Sequence, residues 1–144
     1  MLITTGDPAY YNNTLIGSCD FSIQGGSVDA AFISITNFSI VPNNGNLTGE
    51  EYNIWAGDNV TKLGETIAQS EGYITSTNAN VNADGIYYTD MGEATHLSAF
   101  GDSGGPVYLT DSKKVIGIHK GSTAFTSIFV KVDNIASKLN AHFN

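Results

Sequence analysis

Positive charge is scarce in this sequence. Lysine and arginine together number six in 144 residues against fourteen aspartates and glutamates, for a formal net charge of −8. No basic stripe exists, which argues against nucleic acid and against an anionic membrane surface as partners. There is one cysteine, Cys19, so no internal disulfide can form and packing alone must hold the fold. That excludes a disulfide-stapled scaffold and leaves the compartment open. No apolar stretch approaches the roughly 20 residues of a membrane span. Met1-Leu2-Ile3-Thr4-Thr5 has neither the charged start nor the apolar run of a signal peptide, so any such segment is expected to have been removed or to lie upstream.

Hydrophobic residues make up 41% and charged ones 14%. A packed core is therefore within reach and wholesale disorder is not expected. The length suits one compact domain, or a domain and a piece of another. Sixteen glycines, three prolines and many Asn, Ser and Thr point to short strands joined by tight turns. Strands are expected at Thr14–Ile16, Asp29–Thr36, Tyr52–Ala56, Gly72–Thr77 and Gly85–Thr89, each short, β-branched or aromatic, and bounded by Gly, Asn or Asp. Pro106–Thr110 and Lys114–His119 read as a hairpin around Asp111-Ser112-Lys113, and Ser127–Val132 as a further strand. One helix is expected, Asp133–Phe143, with Asp133 as N-cap and Ile135, Ala136, Leu139 and Phe143 on one face. Val41–Asn46 is the clearest linker. Asn12, Asn37, Asn46 and Asn59 open glycosylation-type triplets, a pattern that chance explains for most of them in a chain this rich in Asn and Thr.

The chemistry-bearing stretch is Gly101-Asp102-Ser103-Gly104-Gly105-Pro106. Nucleophilic acyl transfer needs an exposed hydroxyl and amide hydrogens aimed at the developing oxyanion. Glycines beside Ser103 permit a tight turn and close approach of a substrate backbone. The oxyanion hole is assigned to the Gly101-Asp102-Ser103 segment, with the amides of Gly101 and Ser103 converging on one oxygen.

Six residues in this order resemble the nucleophile loop of the chymotrypsin-like serine proteases, and the likeness runs from about Asp29 to the C-terminus. It implies an all-β fold: a six-stranded antiparallel barrel with a C-terminal helix over 45–144, and a partial first barrel with linker over 1–44. It also implies a serine endopeptidase acting through an acyl-enzyme on Ser103, on peptide or protein substrates, outside the cell, with no cofactor and no metal. Ser27-Val28-Asp29-Ala30-Ala31 looks like the segment that carries the triad aspartate, so Asp29 is expected to orient an imidazole and stabilise the imidazolium. Val115-Ile116-Gly117-Ile118-His119 is similar to the pocket strand of glutamate-specific members. His119 is therefore expected to read a substrate carboxylate, with Ser98 on the opposite wall and Lys120, Gly121 and Ser122 completing the strand. Leu97 is placed near the pocket base, where trypsin-like members carry Asp, which argues against a preference for Lys or Arg.

The base does not follow the pattern. Leu2-Ile3-Thr4-Thr5-Gly6 resembles the strand end that precedes the family's histidine, and Asp7 stands where that histidine is expected. A carboxylate with a pKa near 4 is a weak base at neutral pH. His96 falls where the pocket wall should be, His119 on the pocket strand and His142 on the terminal helix. Two accounts follow: a chain without the first part of the fold, preferred because strands before Asp29 are few, or a catalytically inactive peptide-binding module.

Overall fold

The computed structural model describes residues 3–40 and 46–142. Among the described residues nine strands and one helix follow in order: β1 Pro8–Tyr11, β2 Thr14–Gly25, β3 Val28–Ile35, β4 Asn59–Leu63, β5 Gln69–Ala83, β6 Ile86–Ala94, β7 Pro106–Leu109, β8 Val115–Ser122, β9 Ser127–Lys131 and α1 Val132–Leu139. Strands β4 to β9 close into an antiparallel barrel in the order β4-β5-β6-β9-β8-β7, and β1-β2-β3 form a separate three-stranded sheet. The all-β architecture with its terminal helix is the one the sequence implies.

Turn chemistry sets the hairpins. Asn12 and Asn13 both sit at positive φ between β1 and β2, and Asp84 and Gly85 do the same between β5 and β6. Two successive left-handed residues match the right-handed twist of the flanking strands. The barrel interior is filled by Val60, Ile74, Ala94, Val107, Ile116 and Phe129. A second cluster joins barrel, helix and sheet: Val28 from β3, Tyr88 and Met91 from β6, Ile128 and Val130 from β9, and Ile135 and Leu139 from α1. Thr89 N donates to Gly26 O at 2.8 Å, which docks the β2–β3 tip on β6. That docking carries Asp29, one residue into β3, to the barrel.

Four expectations need correction. Tyr52–Ala56 is not a strand; Asn53 N donates to the Glu51 carboxylate and Trp55 N to Asp58 Oδ2, so side chains take the donors a ladder would use. The strands expected at Thr14–Ile16, Gly72–Thr77 and Gly85–Thr89 fall towards the starts of longer ones, with Gly85 itself in the turn before β6, because polar residues on the outer face continue the alternation. Asp133 is not the helix cap. The helix begins at Val132 with Lys131 in the cap position, and Asp133 lies in the first turn, where its charge suits the helix dipole. The helix ends at Leu139 because Asn140 adopts the left-handed conformation; Phe143 lies outside the described residues, as do Leu2 and 41–45 of the expected linker. Ile3 and Thr4 carry no regular structure.

Candidate active site

The nucleophile loop connects β6 to β7. Gly101 and Gly104 have φ of 102° and 93°, a region that side chains with a Cβ rarely enter. Ser103 between them is exposed, and its Oγ donates to the Lys120 carbonyl at 2.9 Å. Asp102 N donates to Ala99 O and Gly104 N to His119 O. Asp102 therefore has no amide to offer an oxyanion. The amides of Gly101 and Ser103 have no hydrogen-bond acceptor among the described residues.

Asp102 holds the loop from beneath. Its Oδ2 accepts from Lys62 Nζ at 2.5 Å and from Ala99 N at 2.9 Å, while Oδ1 accepts from Thr66 N and Ile67 N at 2.8 and 3.0 Å. Neither side chain of the Lys62–Asp102 pair is exposed. The Lys62 ammonium and the three amides hold the Asp102 carboxyl well below the usual carboxylate range, against the opposing effect of burial. Sequence reading gave Lys62 no role. The signal was there: Lys62 is two residues from Val60 on a strand, and thus shares its inward face. A lysine on such a face demands a buried counter-ion.

Next to this pair, His96 and His119 form a second buried unit. His96 Nε2 and His119 Nδ1 are 3.3 Å apart, and each residue is 2% exposed. Burial pushes both rings down to about 4; the His119 ring and then Lys62 add to this for His96, and Lys62 does so for His119. Both are neutral at pH 7. His96 Nδ1 is buried without a hydrogen-bond partner. Ser127 Oγ donates to His96 O at 2.7 Å and lies 3.5 Å from Ser98 Oγ, so Ser98 and the histidine pair share one side of the barrel. Gly121 and Ser122 pair with Ile128 and Ser127 at the end of β8. Leu97 is 68% exposed and does not floor a pocket; its amide donates to Ser70 Oγ.

Asp29 meets the loop through Lys120. Asp29 Oδ2 accepts from Lys120 Nζ at 2.8 Å and from Tyr88 Oη at 3.3 Å. Asp7 is spent locally, accepting from Thr4 N at 2.7 Å and Thr4 Oγ1 at 3.0 Å. His142 pairs with Glu50 at 3.1 Å and is largely exposed. None of the three histidines hydrogen-bonds Ser103 or Asp29. A cleft of about 930 Å³ borders Ser103, with Leu47, Leu63, Ile118, Val132 and Ile135 among its apolar walls. His119 and Ser98 are not part of that lining.

No family model matches the chain. It is 39% identical over 72 residues to glutamyl endopeptidase 2 of Streptomyces griseus, a match covering 49% of this chain and 37% of that protein. Among solved structures it is similar to Cellulomonas bogoriensis chymotrypsin, with a TM-score of 0.78 at 21% identity over 97% of this chain and 80% of that one. This is the chymotrypsin-like fold. A glutamic acid-specific serine protease that uses a histidine triad in substrate binding is similar at a TM-score of 0.77 and 23% identity, over 98% of this chain and 80% of that one. These similar proteins are proteases, a glutamic acid-specific serine protease among them, and the resemblance stated from the nucleophile loop is borne out.

Proposed function

We propose that the chain derives from an extracellular serine endopeptidase in which Ser103 forms the acyl-enzyme and Asp29 is the triad acid. In this reading the region 45–144 is the catalytic barrel and 1–44 belongs to a first one. The observation that carries it is Ser103 exposed between two left-handed glycines, with the Gly101 and Ser103 amides uncommitted. Such amides are what a tetrahedral intermediate requires.

The same reading gives the histidine pair to specificity for an acidic residue before the cut bond. If His96 Nε2–H donates to His119 Nδ1, the other nitrogen of His119 carries the proton and is a donor for a carboxylate, with the Ser98 hydroxyl on the same side. An empty pair stays neutral because it is buried, and a bound carboxylate raises its proton affinity. In mildly acidic buffer, where the raised value comes within reach, binding of a peptide ending in Glu is accompanied by proton uptake. None of the three histidines hydrogen-bonds Ser103 or Asp29, and a chain acting without such a base turns over slowly, as removal of one triad member leaves only a small part of the normal rate. That observation favours a second reading, in which the chain binds peptides without cutting them.

Titration calorimetry of peptides ending in Glu or Gln, in two mildly acidic buffers of different ionisation enthalpy, tests the pocket. A Glu preference of about tenfold or more, proton uptake on binding, and loss of both in His119→Ala are expected. Equal affinity for the two peptides sinks the acidic preference. Efficient cleavage of the Glu peptide, abolished in Ser103→Ala, would remove the missing-base argument.

A further inference from the structure

We propose that Lys120 is a built-in counter-cation that occupies the acid side of the Ser103 site and limits how well a base can be engaged there. The inference rests on the reading of Ser103 as nucleophile.

The device begins with a β-bulge. His119 of β8 faces Phe129 of β9 and Gly121 faces Ile128, so Lys120 is the extra residue with no partner across the ladder. A bulge turns the chain locally and re-aims the side chain it carries. Here one residue reaches both halves of the site. The Lys120 carbonyl accepts from Ser103 Oγ at 2.9 Å, while Nζ lies 2.8 Å from Asp29 Oδ2. The ammonium also lies 5.3 Å from the centre of the Tyr88 ring, and Tyr88 Oη donates to the same Asp29 oxygen. The side chains of Lys120 and Asp29 are only 19% and 23% exposed.

The groups facing the amine come from three elements: Asp29 on β3, Tyr88 on β6 and Asp84 in the β5–β6 turn. Burial opposes the charge, but the hydrogen bond and charge of Asp29, with Tyr88 and Asp84, outweigh it and hold the amine above the ordinary lysine value. Lys120 is therefore an ammonium at neutral pH and cannot take the Ser103 proton. Its effect on any base is the opposite of help. A general base beside Ser103 becomes a cation as the hydroxyl attacks, and Asp29 is the carboxylate placed to stabilise that cation. An ammonium already paired with Asp29 cancels that field and repels a second positive charge.

Chemical rescue by imidazole reads this out on the full chain. Ser103 Oγ attacks the phosphorus of a fluorophosphonate, the hydroxyl proton passes to imidazole, and the P–F bond breaks to release fluoride. In Lys120→Met, which keeps the length and removes the charge, imidazole-dependent labelling of Ser103 is expected to be about tenfold or more faster than in the parent. Lys120→Arg keeps the charge and keeps rescue suppressed. Asp29→Asn placed in the Lys120→Met background removes the gain, which a merely structural effect of the lysine would not do. Equal rescue in parent and Lys120→Met, with both labelled at Ser103, overturns the counter-cation and leaves Ser103 as nucleophile. Labelling that persists in Ser103→Ala, or never occurs at Ser103 in any chain, overturns both. Denaturant midpoints of the variants separate a lost fold from a lost effect.

Discussion

Two histidines touching in a dry interior respond to pH in a way that can be worked out in sign. Unfolded, each ring takes a proton near pH 6.5; folded, burial delays this to about 4. Between those values the unfolded chain binds more protons, so stability falls as pH drops from 6.5 towards 4 and the loss is complete below it. The limiting slope is about 1.4 kcal/mol per pH unit for each ring titrating independently. Asp102 adds its part lower down: its depressed carboxyl contributes stability above the ordinary carboxylate range, and this is lost as the medium becomes more acid. Urea midpoints measured from pH 7 to pH 4 should decline, and His96→Gln should flatten the decline. A profile that is level across this window, or unchanged by the substitution, would show that the rings are not buried as a neutral pair.

At the level of elements, the nucleophile loop is located by contacts with strand ends. A Cβ on Gly105 would lie 1.9 Å from the Leu63 carbonyl oxygen at the end of β4. A backbone atom cannot swing aside as a side-chain tip can. Gly105→Ala is therefore expected to cost about 1–3 kcal/mol and to slow probe labelling of Ser103 more than Gly57→Ala changes it, since at Gly57, in a turn before β4, a Cβ meets backbone strain (φ 97°) but open space and no part of the nucleophile loop. Labelling that is equal in the two variants would mean the β4 contact does not fix the loop. The sequence made the hairpin β7–β8, strand β9 and the helix face legible, because Val115-Ile116-Gly117-Ile118 is an apolar β-branched run bounded by polar residues, while Ile128 and Val130 repeat at the strand period and Ile135 and Leu139 at the helix period. It made the Ser103 turn legible because the glycines there are a local backbone requirement. Lys62 and the bulge at Lys120 were not legible. Their meaning depends on Asp102, forty positions away in sequence for Lys62, and on Asp29, which the docking of a separate sheet brings to Lys120. The false strand at Tyr52–Ala56 has the same origin: its residues have strand character, but Tyr52 and Trp55 are exposed and the amides of Asn53 and Trp55 go to Glu51 and Asp58.

The molecule as a whole joins a closed barrel to an open sheet. Closure removes the edges of β4 to β9, whereas β1 and β3 are the two ends of a three-stranded sheet. That sheet exposes Tyr10, Tyr11, Leu15, Phe21 and Phe32, with Phe21 stacked on Phe32. Fewer buried apolar contacts mean a smaller cost of local opening. Amide hydrogen exchange should therefore be faster in β1 and β2 than in β4, β8 and β9, with β3 intermediate near Val28, which is buried in the shared cluster. Uniform protection across sheet and barrel would contradict this ranking. The chain contains six lysines and no arginine, so the cation that closes the nucleophile loop carries a primary amine. Lys62 is wholly enclosed, and an acylating reagent reaches it only when the loop and β4 separate. The rate at which that amine is modified is thus a clock for the opening of the active site, one that runs without substrate and without catalysis.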